Sequence, residues 1–197
     1  MKLERCERHG TVREGYQILL RADAELLLPE DKPLMRAFYE HMGETCMIWA
    51  QTVHGEALRR EFLTLEGIRE KSQFGTQHYR FRMRCAWEED GFVAMLCETE
   101  LSGQWREPQK SYHRISHVWN TEEENALPFP QILERFGVQV SKSKLPFTPD
   151  GIYPEGDQMV FFRNVTEHTP FLEKRISRNL SQKSKISQKN ENKKFHL

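Results

Sequence analysis

One stretch of the chain, His78 to Leu101, leaves few choices about what it folds into. Tyr79, Phe81, Met83, Cys85 and Trp87 alternate with Arg80, Arg82, Arg84 and Ala86. A period of two puts one face on a core and the other in water. Glu88-Glu89-Asp90-Gly91 follows as a turn, with glycine where a positive φ is needed, and residues 92–101 return as a second strand. Charge selects the register. With Glu89, Asp90 and Gly91 as a three-residue loop, Arg80 faces Glu100 and Arg82 faces Glu98. On the other face Trp87 meets Val93, Cys85 meets Met95 and Met83 meets Cys97. A two-residue Asp90-Gly91 loop shifts the pairing by one and sets Met83 against Glu98 and Phe81 against Glu100. Opposed charges across strands contribute roughly 0.2–1 kcal/mol each, and a slip sends a whole face to the wrong side. The three-residue loop is therefore expected.

Upstream, Tyr16, Ile18, Leu20, Ala22, Ala24, Leu26 and Leu28 alternate with polar residues as a long strand with one dry face. Pro29 to Pro33 breaks it, with Asp31 as N-cap and Pro33 in the first helical turn. Leu34, Phe38, Met42, Cys46, Trp49, Val53 and Ala57 then recur at helical spacing as an amphipathic stripe. Gly43 and Gly55 weaken this helix, and a bend is expected near Gly55. After the hairpin come a loop over 102–110, a strand over 111–120, an acidic turn over 121–127 and a short helix over 131–136 closed by Gly137. Residues 141–156 read as loop and 158–163 as a last short strand. The order predicts an α+β fold: one long amphipathic helix packed on a meandering antiparallel β-sheet, plus a short second helix.

Length sets one domain with a modest appendage in 197 residues. The expected division is an N-terminal polar segment (1–13), an α+β domain (14–172) and a disordered basic tail (173–197). The tail has eight Lys/Arg against two Asp/Glu, which leaves the body mildly acidic at 21 basic against 27 acidic groups. Cys6, Cys46, Cys85 and Cys97 have no CxxC spacing and read as free thiols. No apolar run approaches a membrane span, and Met1–Arg5 lacks the apolar stretch of a signal peptide, so a cytoplasmic location is expected.

Four pieces of the chain carry a resemblance. They are the alternating strand with the helix that contains Phe38 and Trp49, and the hairpin around Asp90-Gly91. They continue with His117-Val118-Trp119-Asn120 before Leu127-Pro128-Phe129 and Ile132-Leu133, and then Phe147 through 157–162 to Asn164, Glu167 and Pro170-Phe171. In this order, over residues 15–172, they resemble the RsiV-like domain of unknown function. That domain occurs in lysozyme-sensing anti-sigma factors and beside PdaC-type peptidoglycan deacetylase domains. The chain departs from the family at 102–106, where the family has a glycine-rich segment, and at Val165-Thr166 in the closing segment. The resemblance implies a binding or sensing module without catalysis, of unknown protein or small-molecule partner.

The residues themselves point to no reaction. His113 and His117 share a strand face about 13 Å apart, too far for two ligands of one metal. His41 and Cys46 are a poor chelating pair, and Glu122-Glu123-Glu124 reads as a solvated turn. No phosphate loop, dinucleotide or nucleophile-elbow motif is present, so no cofactor is expected. A cell-wall hydrolase or deacetylase-associated role stands as an alternative through family neighbourhood alone. Candidate contact residues are Trp105 and Arg106 in the 102–110 loop, since aromatic–arginine pairs are frequent hot spots. Trp105 folding over the sheet edge as core is the competing reading. Tyr112 on the strand-edge face and Tyr153 in the 145–157 loop complete the set. Arg80, Arg82 and Arg84 make a salt-bridged solvent face rather than a nucleic-acid site, and the tail offers only weak, salt-sensitive contact with nucleic acid.

Overall fold

A long helix carries the chain from one strand to a parallel neighbour, and this crossover organises the molecule. The structure is a computed structural model that describes residues 1–105, 107–141, 144–166 and 170–178. Strand β1 (Leu3–Glu14) turns back at Gly15-Tyr16 into β2 (Gln17–Pro29). Helix α1 (Pro33–Ile48) continues through a π-helical segment (Trp49–His54) into α2 (Gly55–Leu63), and α3 (Ile68–Gln73) follows. Next are β3 (Gln77–Glu89), β4 (Phe92–Trp105), β5 (Glu107–Asn120) and β6 (Asn125–Ala126). Then come α4 (Phe129–Arg135), β7 (Gly151–Glu155), β8 (Gln158–Arg163) and β9 (Leu172–Ser177). Strands β1 to β6 form a six-stranded sheet in chain order, and β7 to β9 form a second sheet of three. All pairs are antiparallel except β2 with β3, which the helical crossover makes parallel. The fold is α+β, with the helix on one face of the large sheet and the small sheet on the other.

Two cores follow from this layering. Leu20, Ala22, Ala24, Leu26 and Leu28 of β2 meet the helix together with Tyr79, Phe81 and Met83 of β3 and Val93, Met95 and Cys97 of β4. The opposite face of β4 supplies Ala94 and Leu96, which pack with Val118 of β5 against the small sheet. Strand β4 is therefore buried on both sides, which its continuous apolar run Phe92–Cys97 permits.

Several sequence expectations are corrected. Of the expected stripe, Leu34, Phe38, Trp49 and Val53 are exposed while Met42 and Cys46 pack half-buried against the core, which Met35, Tyr39, Gly43, Met47 and Ala50 close. Small residues decide this face. A Cβ on Gly43 would stand 2.6 Å from Leu26, and one on Gly55 would stand 2.6 Å from Val12, so the glycines let the helix approach the sheet. The expected irregularity near Gly55 is the π segment that ends one residue before it. Asp31 is not the cap; Lys32 holds that position without a side-chain bond. Glu124, far along the chain, accepts from the amides of Leu34 (2.8 Å) and Met35 (3.3 Å).

The hairpin keeps the expected pairs Arg80–Glu100, Arg82–Glu98, Met83–Cys97 and Cys85–Met95. Its turn is nevertheless the two-residue Asp90-Gly91, with φ of 54° and 76°. Ala86 is extra, in a bulge between Cys85 and Trp87, and absorbs the difference. Trp87 consequently pairs with Ala94 rather than Val93, and packs in the core between the sheets.

The polar first residues are not outside the fold, because residues 3–14 are an edge strand paired along β2. Their charges suit an edge, where a long apolar row would invite pairing with other chains. The 102–110 loop is hairpin: Ser102 pairs with Lys110 and Trp105 with Glu107. The 141–156 loop contains β7, and the tail contributes β9 before position 178. The rest of the basic tail lies outside the described residues.

Candidate functional site

Tyr112 and Tyr153, chosen from different parts of the sequence, meet at one side chain, Arg114. This arginine sits on β5 facing the small sheet, with its side chain 11 % exposed, so its charge needs compensation. Its Nε donates to Glu98 (2.9 Å) and to the Tyr112 hydroxyl (3.0 Å). Its Nη1 donates to Glu173 of β9 (2.8 Å) and to the Tyr153 hydroxyl (3.2 Å). The guanidinium lies 5.0–5.8 Å from the ring centroids of Phe171, Phe162, Tyr112 and Tyr153, within cation–π range. Asn164, itself buried, binds the Arg114 backbone as a strand would: its Oδ1 accepts from the amide (2.6 Å) and its Nδ2 donates to the carbonyl (2.9 Å). Ser116 does the same for Ile152 of β7, donating to its carbonyl at 2.9 Å and accepting from its amide at 3.1 Å.

The chemistry of this cluster is cohesive. Burial opposes the charge of Arg114, but Tyr153, Glu173 and Tyr112 outweigh it and hold the guanidinium above the usual arginine range. Burial, then the bond to Glu98, pushes the Tyr112 phenol up to about 12, so it stays protonated at neutral pH and serves as a donor, not a base. The residues join β4, β5, β7, β8 and β9 around one cation. Alternation in 111–120 did not single out Arg114. The available signal was charge, because Glu98 faces Arg82 on one side and Arg114 on the other.

The helix face of the sheet differs. Trp119 Nε1 donates to the buried Tyr39 hydroxyl (2.8 Å). Phe38 stands edge-on to the rings of His117 (5.1 Å) and Trp119 (5.4 Å). His117 Nδ1 is buried with no hydrogen-bond partner among the described residues. Burial pushes this imidazole down to about 4, so it is neutral at physiological pH. Along the helix Leu34, Phe38, Trp49 and Val53 are exposed, and Trp49 stacks on His54 at 5.7 Å. Ile115 of β5 is also exposed.

Trp105 is the last paired residue of β4; Arg106 lies outside the described residues. Beyond Ser102 the β4–β5 hairpin continues past the start of β3 as an arm. Tyr153 is not on a loop surface, being 1 % exposed within β7. On the arginine face, Arg82 pairs with Glu25 (3.6 Å), and Arg84 with Glu155 (3.8 Å) and Glu98 (3.9 Å). All four cysteines are free. Among the described residues, no group of three His, Cys, Asp or Glu side chains is placed to hold a metal ion. Among those residues too, no helix is long and apolar enough to cross a membrane.

No family model matches the sequence, and no curated protein does. Solved structures do match in fold. The chain is similar to a member of the DUF3298 family from Bacteroides fragilis, with a TM-score of 0.54 and 9 % identity over 89 % of this chain and 90 % of that one. It is also similar to a DUF3298 family protein from Pseudomonas aeruginosa, with a TM-score of 0.51 and 12 % identity over 89 % of each chain. At this identity the likeness is one of fold: an architecture already solved in proteins of a domain family of unknown function.

Proposed function

We propose that the chain is a non-catalytic recognition module of the RsiV-like kind, taking a protein partner on the outward face of its long helix. One observation carries this reading. Leu34, Phe38, Trp49 and Val53 are 66, 39, 44 and 59 % exposed along one helix, while Met35, Tyr39 and Ala50 beside them close the core. Apolar and aromatic side chains held on a rigid element are typical of interface centres. The resemblance to RsiV-like domains and the fold likeness to DUF3298 proteins support the same reading.

The test uses Leu34→Lys together with Val53→Lys, two exposed positions. Proteins captured from a lysate of the producing organism are compared for wild type, this double variant and a chain ending at residue 178. The expected result is a protein retained by the truncated chain and lost with the double variant. Equal capture by wild type and the double variant refutes the helix face. Nucleic acid that disappears with residues 179–197 assigns binding to charge on the tail instead.

A further inference from the structure

The six-stranded sheet ends on β1, and among the described residues no strand covers its outer edge. Its inner pairing decides which backbone groups that edge offers. The Lys2 carbonyl accepts from the Glu30 amide (3.0 Å), and the register on β2 holds without a break to Val12. Even-numbered residues of β1 therefore turn their backbone groups to β2, and Leu3, Arg5, Glu7 and His9 turn theirs outward. Such a row is a template for another strand.

Charge on an edge repels most strands, but this order of signs admits one. Around Cys6 the sequence runs Glu4-Arg5-Cys6-Glu7-Arg8. Laid antiparallel on a second copy with Cys6 opposite Cys6, Arg5 meets Glu7 and Glu4 meets Arg8, each pair formed twice by the two-fold symmetry. The ladder allows only registers that keep odd residues opposite odd ones, so the nearest alternatives are slips of two. One slip sets Arg5 against Arg5 and the other sets Glu7 against Glu7, and like charges directly opposed are destabilising. Within one chain these charges are matched at the surface: Arg5 reaches Glu7 (3.2 Å) and Glu25 (3.0 Å), and Glu4 reaches Arg36 (2.8 Å). Arg8 makes no ion pair among the described residues. The helical layer leaves room for the second strand. It crowds β1 at Gly10, against Gln51, and at Val12, against Gly55. Both positions lie past the start of the second copy's β1, which stands opposite His9.

We infer that β1 is a self-pairing edge: two copies of this chain join β1 to β1, antiparallel about Cys6, into one continuous sheet. Even residues opposite even residues put both long helices on the same side of that sheet.

The test is sedimentation of the full chain over a concentration series under reducing conditions. A reversible monomer–dimer equilibrium is expected. Arg5→Glu and Glu7→Arg, at exposed positions and each checked for wild-type circular dichroism, set like charges opposite one another. Each is expected to weaken self-association by at least about tenfold. Mixed in equal amounts, the two variants again oppose unlike charges, and a heterodimer is expected to recover the wild-type association. Cys6 gives a second readout. In a non-hydrogen-bonded pair the Cα atoms lie about 4.5 Å apart, inside the range of roughly 4.4–6.8 Å for a disulfide. Glutathione disulfide is expected to link two wild-type chains through their Cys6 thiols, releasing two reduced glutathiones per link, and Cys6→Ser is expected to abolish the link. A chain that stays monomeric throughout, a dimer that both charge variants leave unchanged, folded variants that do not associate on mixing, or a link that survives Cys6→Ser overturns the proposal.

Discussion

His117 makes the stability of this fold depend on pH in a way that a single substitution isolates. In the unfolded chain an imidazole titrates near 6.5, and in the folded protein burial pushes His117 down to about 4. The folded state therefore prefers the neutral ring. Above pH 6.5 both states are neutral and the residue adds no pH dependence. As pH falls from 6.5 towards 4 the unfolded chain binds a proton that the folded protein refuses, so stability is lost across that window; below it both states are protonated and the loss levels off. Linkage over this shift gives a loss of about 2 kcal/mol between pH 7 and pH 5. The perturbation is His117→Phe, which fits an aromatic ring beside Phe38 and Tyr39 and removes a nitrogen that has no partner among the described residues. Urea midpoints for wild type and variant are measured at half-unit steps from pH 7.5 to 4.5. Carboxylates and the other histidines titrate in both proteins and cancel in the difference. The expected result is a wild-type curve that drops about 2 kcal/mol further than the variant on going from pH 7 to pH 5. Parallel curves would show that the ring accepts its proton in place and would refute the reasoning.

Other outcomes follow from packing and capping. Arg114→Met leaves Glu98 and Glu173 without their buried partner, and a loss of about 3 kcal/mol is expected by urea denaturation. Glu124→Ala uncaps α1 and is expected to cost about 1 kcal/mol, a fall in Tm of roughly 2–4 °C in a thermal scan. Gly91→Ala places a methyl group on a residue at φ 76°, and a loss of about 1 kcal/mol is expected, read from the same scan. Deleting Ala86 removes the bulge but leaves Cys85–Met95 and Trp87–Ala94 as successive pairs on opposite faces, so Trp87 is expected to stay on the small-sheet side; NMR shifts of Phe136 and Arg178 are the readout, and loss of their ring-current shifts would contradict this register.

The legible parts of the fold are those where charge or periodicity spoke for a whole element. Arg80–Glu100 and Arg82–Glu98 set the register of β3 on β4 correctly, although the turn was misread. An extra loop residue in the reading and an extra bulge residue in the molecule occupy the same place in the count, so every pair beyond Cys85 agrees. Alanine fits either face of a strand, and nothing at position 86 signals a bulge. The helix shows the opposite failure. Its existence was plain from spacing, yet hydrophobicity ranks Leu34, Phe38 and Trp49 above Gly43 and Ala50, whereas close approach to β2 demands the small residues. The buried series 35, 39, 43, 47, 50 then steps by five to Gly55, the phase change that a π segment introduces, before continuing at Leu58 and Phe62. A fixed period of 3.6 cannot follow that step. Strand β9 was lost for a simpler reason: the expected domain boundary falls after its first residue, Leu172, and Ile176 was averaged into a basic tail.

The ionic centre shows what sequence pairing leaves undecided. Glu98 has an arginine on each neighbouring strand, Arg82 on β3 and Arg114 on β5, and register alone treats them alike. Burial separates them. Arg82 is 48 % exposed and turns to Glu25, where water screens either charge. Arg114 is 11 % exposed, beneath the small sheet, and an uncompensated cation there costs far more than a screened one. Glu98 therefore serves the arginine that water cannot reach. That choice depends on β7, β8 and β9 closing over β5, a long-range event that no local pattern in residues 107–120 encodes. The same dependence makes Arg114 a reporter of whether the small sheet is seated: with Glu173 of β9 displaced, its Nη1 loses a carboxylate while Glu98 keeps Nε.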